Sequence, residues 1–367
     1  MRHLPQPLPY QLGLAAMPWL DSSSASNAQN YRAELTDMFA GLRKYQDHPY
    51  VCDLEPLPLV WERQGSSVRY AKAQQNVASA PAILLVPSLV NKSNIMDLTR
   101  ERSFVRWLAA QGISAYLLDW GNVAGQDKLN SIENIVVEVL RPALRDIAAR
   151  EGQKITALGY CMGGTMLAGA LTQERDAVRG FVALATPWDF QAGEGRLRAH
   201  IGTNAAAAFS VMSRKKILPA AHIQALFAGL DPALMVHKFA RFATLEDVQK
   251  EALFVATEDW LNDGLDLPEG VAKDFMVGWA LENKPAAGKW LLGGEIVAAN
   301  KIDIPALVVS SRRDKLVEFE SAYGLYEELP RALHHDPCCG HIGMMAGSKS
   351  IANVWMPIAN WVKAQYL

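Results

Sequence analysis

Cysteine is scarce, with four residues in a chain of 367. A chain of this length with so few thiols is not a disulfide-stapled scaffold. Neither sign of charge dominates: 36 Lys and Arg face 38 Asp and Glu, for a formal net charge of −2. A nucleic-acid binder carries a marked basic excess, so that class is excluded and no nucleic-acid partner is expected. Long apolar runs are missing as well. The longest, around Ala82 to Val90, is too short for a bilayer and contains a proline and a serine, so no transmembrane segment is expected. Residues Leu12 to Leu20 are mostly apolar and lead into small residues from Ser22 to Ser26, the outline of a secretory signal. Pro5, Pro7, Pro9 and Pro18 interrupt that outline and little charge precedes it. Residues 1–55 therefore read as a docking or partly disordered arm, and the chain as cytoplasmic with reduced thiols.

What is present is material for a core: 50% of residues are hydrophobic and 20% charged. From Leu57 onward strands and helices alternate. The pattern predicts strands over Leu57–Glu62, Val68–Ala73, Ala82–Val86, Ser114–Trp120, Ile155–Tyr160 and Phe181–Ala185. Between them it predicts helices over Asp97–Gln111, Ile132–Ala149 and Gly163–Leu171. The rhythm breaks from 187 to 301, where the chain turns helical and aromatic. It resumes with strands at Ala306–Ser310 and Ala332–Asp336 and helices at Glu318–Glu328 and Ile351–Tyr366. The fold class expected is α/β: a mostly parallel sheet covered on both faces, formed by 56–186 and 302–367, with 187–301 as a helical cap over the C-terminal sheet edge.

The most informative segment is Gly159-Tyr160-Cys161-Met162-Gly163-Gly164-Thr165, between a predicted strand and helix. It has the form of a nucleophile elbow with Cys in the place of the usual Ser. Small neighbours let strand and helix approach, and the helix N-terminus favours negative charge. Cys161 is the candidate nucleophile, and the Met162 backbone N–H a candidate oxyanion donor. A second donor is expected from the loop after the first central strand, and the Val90 N–H is chosen on position.

A free thiol has a pKa of about 8.5, so a nucleophilic cysteine needs a base beside it and an acid to orient that base. In this fold the order along the chain is nucleophile, acid, histidine. Of the histidines after Cys161, His200, His222 and His237 fall in the cap. His334 and His335 adjoin a short strand, with at least one expected to face solvent. His341, in Cys339-Gly340-His341-Ile342-Gly343, lies just past the last strand and is the candidate base. Asp314, in Ser310-Ser311-Arg312-Arg313-Asp314, follows the preceding strand and is the candidate acid, with Asp336 as rival. Cys338 and Cys339 could act as a redox pair, but strand-end packing is the simpler role. With the nearby histidines they gather ligand types, yet adjacent cysteines do not easily present both thiolates to one tetrahedral ion, so no metal is expected.

Four blocks, in order, carry a family resemblance: Leu89-Val90-Asn91-Lys92 with Met96-Asp97-Leu98; Leu118-Asp119-Trp120-Gly121; Gly159 to Thr165; and Gly340-His341-Ile342-Gly343 with Asp314 ahead of it. From about Leu57 to its end the chain resembles the polyhydroxyalkanoate (PHA) synthases, in particular their short, class III-like type within the α/β-hydrolase superfamily. The resemblance implies an acyltransferase that polymerises (R)-3-hydroxyacyl-CoA. Cys161 would carry the acyl group and release CoA. His341 would deprotonate Cys161, and with Asp314 would activate the 3-hydroxyl of the incoming unit. It implies no cofactor beyond the CoA thioester substrate. The partners it implies are the growing polyester chain and an accessory subunit or a second copy, with the polyester granule surface as location. Two departures stand out: Lys92-Ser93-Asn94-Ile95 lacks the Pro-Tyr or Tyr-Tyr pair common there, and Cys338 and Cys339 replace small or polar residues. Two other readings share the frame: a thioesterase or polyester depolymerase, and a non-catalytic granule-associated partner of a true synthase. Lys92, Arg312 and Arg313 stand near the expected mouth, where CoA phosphates need cations. Trp188, Trp260, Trp279 and Trp290 line either a cap core or an exit.

Overall fold

Every residue of Ala82–Val86 is apolar and every one is buried, which only a strand covered on both faces permits. The computed structural model describes residues 2, 4, 5, 12, 13, 25–74 and 80–367. The signal-like outline between Leu12 and Ser26 lies for the most part outside them. One sheet of eight strands organises the chain: β1 (Leu59–Arg63), β2 (Ser66–Ala71), β3 (Ala82–Val86), β4 (Ser114–Asp119), β5 (Ile155–Tyr160), β6 (Val178–Leu184), β7 (Ala306–Val309) and β8 (Ala332–His335). Their spatial order is β1-β2-β4-β3-β5-β6-β7-β8. The β2 strand runs antiparallel to both neighbours, and from β4 to β8 all pairing is parallel. The expected fold class is the observed one.

Helix α1 (Ala25–Asp47) precedes the sheet. Helix α2 (Phe104–Ala110) starts later than the pattern predicts. Asp97–Thr99 and Arg102–Ser103 pair as a small ladder instead. Ser103 Oγ accepts from the Arg106 N–H at 3.1 Å and donates to Asp97 at 2.6 Å, so the serine is the N-cap and the aspartate its support. Helix α3 spans 132–151 and widens into a π turn over Val136–Leu140, just before Pro142, which lacks an amide donor. Helix α4 (Met162–Leu171) follows β5 and is buried throughout.

Between β6 and β7 lie α5 (Arg196–Lys215), α6 (Ala220–Ala228), α7 (Leu234–Ala243), α8 (Val248–Asn262) and α9 (269–281), with two short two-stranded ladders among them. Helix α10 (Phe319–Glu328) and α11 (351–364) complete the core. Met38, Leu42 and Tyr45 of α1 pack on Val236, Phe239 and Phe242 of α7. The two helices meet at Gly41, where a β-carbon would lie 1.9 Å from the Phe239 carbonyl oxygen.

Candidate active site

Cys161 stands between the end of β5 and the start of α4 with φ 54° and ψ −128°. For a residue with a side chain this is a strained conformation that its surroundings must hold. The Cys161 N–H donates to the Leu184 carbonyl of β6 at 2.9 Å. Gly163 and Gly164 allow the close approach the motif predicts. A β-carbon at Gly163 would meet the Pro87 carbonyl oxygen at 2.3 Å, and one at Gly164 would meet Thr186 Oγ1 at 1.9 Å. The Met162 N–H belongs to the first turn of α4, where amides have no acceptor within the helix.

His341 comes from the loop after β8 and Asp314 from the loop after β7. Their side chains meet, Nδ1 to Oδ2, at 2.7 Å, and are 8% and 1% exposed. Asp314 Oδ1 accepts the N–H groups of Leu316 at 2.8 Å and Val317 at 2.9 Å, so both carboxylate oxygens are engaged. Burial alone would depress the His341 pKa. The charges of Asp314 and Cys161, and hydrogen bonding to both, outweigh it and push it up to about 10. Tyr160 stacks on the imidazole, ring centroids 5.1 Å apart, and donates to the His341 carbonyl at 3.2 Å. This places Cys161, His341 and Asp314 in one cluster.

Cys161 and His341 line one cavity of about 450 Å³. Ser88, Val90 and Ile342 contribute to its walls from the sheet side, and Phe227, Leu234 and Trp260 from the helical insertion. The Val90 N–H makes only a long contact of 3.4 Å to Ser88 Oγ, and its carbonyl accepts from Leu265 at 2.9 Å. Asn91 Nδ2 donates to the Trp260 carbonyl at 3.1 Å, and Trp260 Nε1 to the Lys92 carbonyl at 2.8 Å, which ties this loop to the insertion. A thiol on an elbow, a buried imidazole–carboxylate pair and free amides at a helix start can together support acyl transfer through a covalent thioester.

The profile of the α/β-hydrolase fold family matches residues 81–348. The chain is 29% identical over 288 residues to the poly(3-hydroxyalkanoate) polymerase subunit PhaC of Haloferax mediterranei, covering 76% of this chain and 58% of that protein. It is 26% identical over 306 residues to the PhaC subunit of a Synechocystis species, covering 80% of each. The chain belongs to the α/β-hydrolase fold family, in its PHA synthase (PhaC) group. It spans less than two thirds of the length of the haloarchaeal relative. Among solved structures, a thermophilic esterase from Thermogutta terrifontis superposes with a TM-score of 0.53 at 13% identity, over 84% of this chain and all of that one, a likeness of fold alone.

Other candidate groups of this PhaC-family chain fall elsewhere. His200, His222 and His237 do not line the cavity. His334 bonds Ser310 Oγ at 2.8 Å and His335 the Asn353 carbonyl at 2.7 Å. Both imidazoles are half-buried, so neither is the solvent-facing histidine expected there. Their partners, Ser310 just past the end of β7 and Asn353 on α11, account for the difference. Asp336, the rival acid, pairs with Arg312 at 3.2 Å. Cys338 is exposed, whereas Cys339 is buried. Arg313 lines the cavity, but Lys92 is paired with Asp263 at 2.7 Å, and Arg312 lies over the Phe319 ring. Trp188, Trp279 and Trp290 are buried in the main core, while Trp260 reaches the cavity.

Sequence reasoning passed over Tyr160 inside the motif it used, and over Arg2 and Pro5. Pro5 lines the cavity, and Arg2 bonds Asp259 at 3.0 Å and the carbonyls of His48 and Tyr50. No spacing rule links positions so far apart.

Proposed function

We propose that this protein is an acyltransferase that polymerises (R)-3-hydroxyacyl-CoA into polyester through an acyl-Cys161 intermediate. The observation that carries the reading is a thiol on a strained elbow, in one cavity with an imidazole whose Nδ1 is committed to a buried carboxylate at 2.7 Å. That commitment leaves Nε2 to take the thiol proton. The thiolate attacks the thioester carbonyl, and the oxyanion is held by the Met162 and Val90 N–H groups. Collapse breaks the bond to CoA sulfur, which leaves with the proton from His341. Next the 3-hydroxyl of an incoming unit gives its proton to His341, attacks the acyl-Cys161 carbonyl and forms an ester bond, regenerating the thiol side chain. Both Asp314 oxygens are already engaged, so Asp314 assists hydroxyl activation through His341 rather than by touching the hydroxyl. Acyl exchange between two thiols is nearly balanced, which lets loading be reversible before the ester step.

The relatives are named as polymerase subunits, which supports an accessory subunit as partner. Action at a polyester granule in the cytoplasm fits that reading. Among the described residues no helix is long and apolar enough to cross a membrane.

The test is to mix the purified protein with (R)-3-hydroxybutyryl-CoA, follow released thiol, and separate insoluble polyester from soluble acid, with Cys161→Ala as control. Thiol release with insoluble polyester, lost in Cys161→Ala, is the expected result. Release with free acid only would assign a thioesterase. A Cys161 that resists iodoacetamide at neutral pH, with no thiol release, would point to the non-catalytic partner.

A further inference from the structure

Two ion pairs in the cavity wall have no part in the chemistry at Cys161: Lys315–Asp231, whose lysine is exposed, and a second pair that is largely withdrawn from solvent. Lys238 on α7 and Glu258 on α8 both line the cavity, with Nζ and Oε2 2.7 Å apart. Their side chains are 22% and 5% exposed. The other polar groups around the cavity have plainer roles. Asn91 and Gln224 give amide hydrogens to backbone carbonyls of α8, and Arg313 and Lys315 are exposed. Burying an ion pair costs several kcal/mol of desolvation per ion, and apolar side chains of similar volume often pack as stably. Stability therefore gives no reason for a pair at this place.

An ammonium has three donors. Among the described residues Glu258 is the only hydrogen-bond partner of Lys238 Nζ, and the Phe239 ring lies 5.3 Å away. Donor capacity is left over at the surface of a cavity that also holds the nucleophile candidate. An alkyl chain laid against those donors would strip their water and return no hydrogen bond, which is penalised. A chain with a carbonyl oxygen at that point would satisfy them.

We propose that Lys238, oriented by Glu258, is a specificity-determining site that accepts an ester carbonyl of the bound chain and so selects oligo(3-hydroxyacyl) esters over plain fatty acyl chains. The inference rests on the polymerase reading for its substrate class. Its test does not. Cys161 is labelled with chloroacetamides whose tails have equal numbers of backbone atoms, either alkyl or built from one to three 3-hydroxybutyrate ester units. The sulfur displaces chloride, so no acyl-CoA, partner or polymer is involved. The wild type should label at least about tenfold faster with an ester tail of matching length, the scale of a hydrogen bond to a charged group. Lys238→Met combined with Glu258→Gln strands neither partner and should bring the ratio to about one, whereas Lys238→Arg should keep the preference. Equal labelling by both tails in the wild type overturns the proposal without any variant. So does a preference that survives in the double variant. A failed polymer assay beside an intact labelling preference would remove the polymerase reading and leave this one standing.

Discussion

His341 keeps a proton in surroundings that would otherwise remove it. Burial works against the imidazolium, while Asp314 at 2.7 Å and the Cys161 side chain hold it and push its pKa from the ordinary 6.5 up to about 10. Because the folded value is the higher one, the stability this group contributes is complete below about pH 6.5 and is lost as pH rises through about 10. The melting temperatures of wild type and His341→Gln should therefore differ most near pH 6 and converge above pH 10. Asp314→Asn removes one source of the shift, so its His341 imidazole should titrate lower than the wild-type one by NMR. A wild-type imidazole titrating near 6.5 would contradict this account of the electrostatics. These two residues were legible in the sequence because each follows a strand of a recognisable order. Tyr160, which packs on the imidazole, was not, because its role depends on where the loop after β8 returns.

At the scale of elements, most strands were written in the chain itself. Ala82–Val86 and Ile155–Tyr160 occur over the residues the apolar pattern predicts, since strands buried on both faces leave continuous apolar runs. The start of α2 was not legible, because Asp97 offers a helix-start signal that Ser103 and Arg106 claim for themselves. Helix α1 falls in the arm expected to dock or to be partly disordered, and its place of packing was not legible. Its apolar face at Met38, Leu42 and Tyr45 has meaning only against α7. That contact gives a prediction. Gly41→Ala would set a β-carbon 1.9 Å from the backbone oxygen of Phe239, which no side-chain rotation relieves. The two helices must part, and the expected cost is about 1–3 kcal/mol or more in urea unfolding. Since α7 carries Leu234 and Lys238, the same variant should blunt the tail preference of Cys161 labelling. An unchanged unfolding midpoint would mean that α1 does not seat on α7 in solution.

For the whole molecule, the cavity lies where β-strand ends, the Ser88–Asn91 loop and the insertion converge, and two exposed cations, Arg313 and Lys315, stand in its wall. Lys315 is shared with Asp231 of the insertion at 2.9 Å. Arg313 makes no ion pair among the described residues, so under the proposed function it is the cation in the wall that would meet the phosphates of a CoA thioester. Arg313→Ala should raise KM for (R)-3-hydroxybutyryl-CoA by about tenfold, the worth of one charge-assisted contact. The effect should shrink at high salt and be absent with the N-acetylcysteamine thioester, which has no phosphate. Equal losses with both thioesters would assign Arg313 a structural role.

The sequence by itself determined the sheet, the elbow turn and the order in which Cys161, Asp314 and His341 follow their strands. Strand burial, tight turns and loop positions leave local marks in residue type and spacing. The tertiary structure alone decided what surrounds those groups. It brought Lys238 and Glu258 from two insertion helices to one wall, laid Pro5 beside the cavity of Cys161, and left Arg313 rather than Lys92 or Arg312 without an ion-pair partner at the mouth. The physical reason is that contacts between side chains far apart in the chain are set by how helices pack and loops return. Packing of that kind depends on shape and charge in space, and no periodicity along the chain records it.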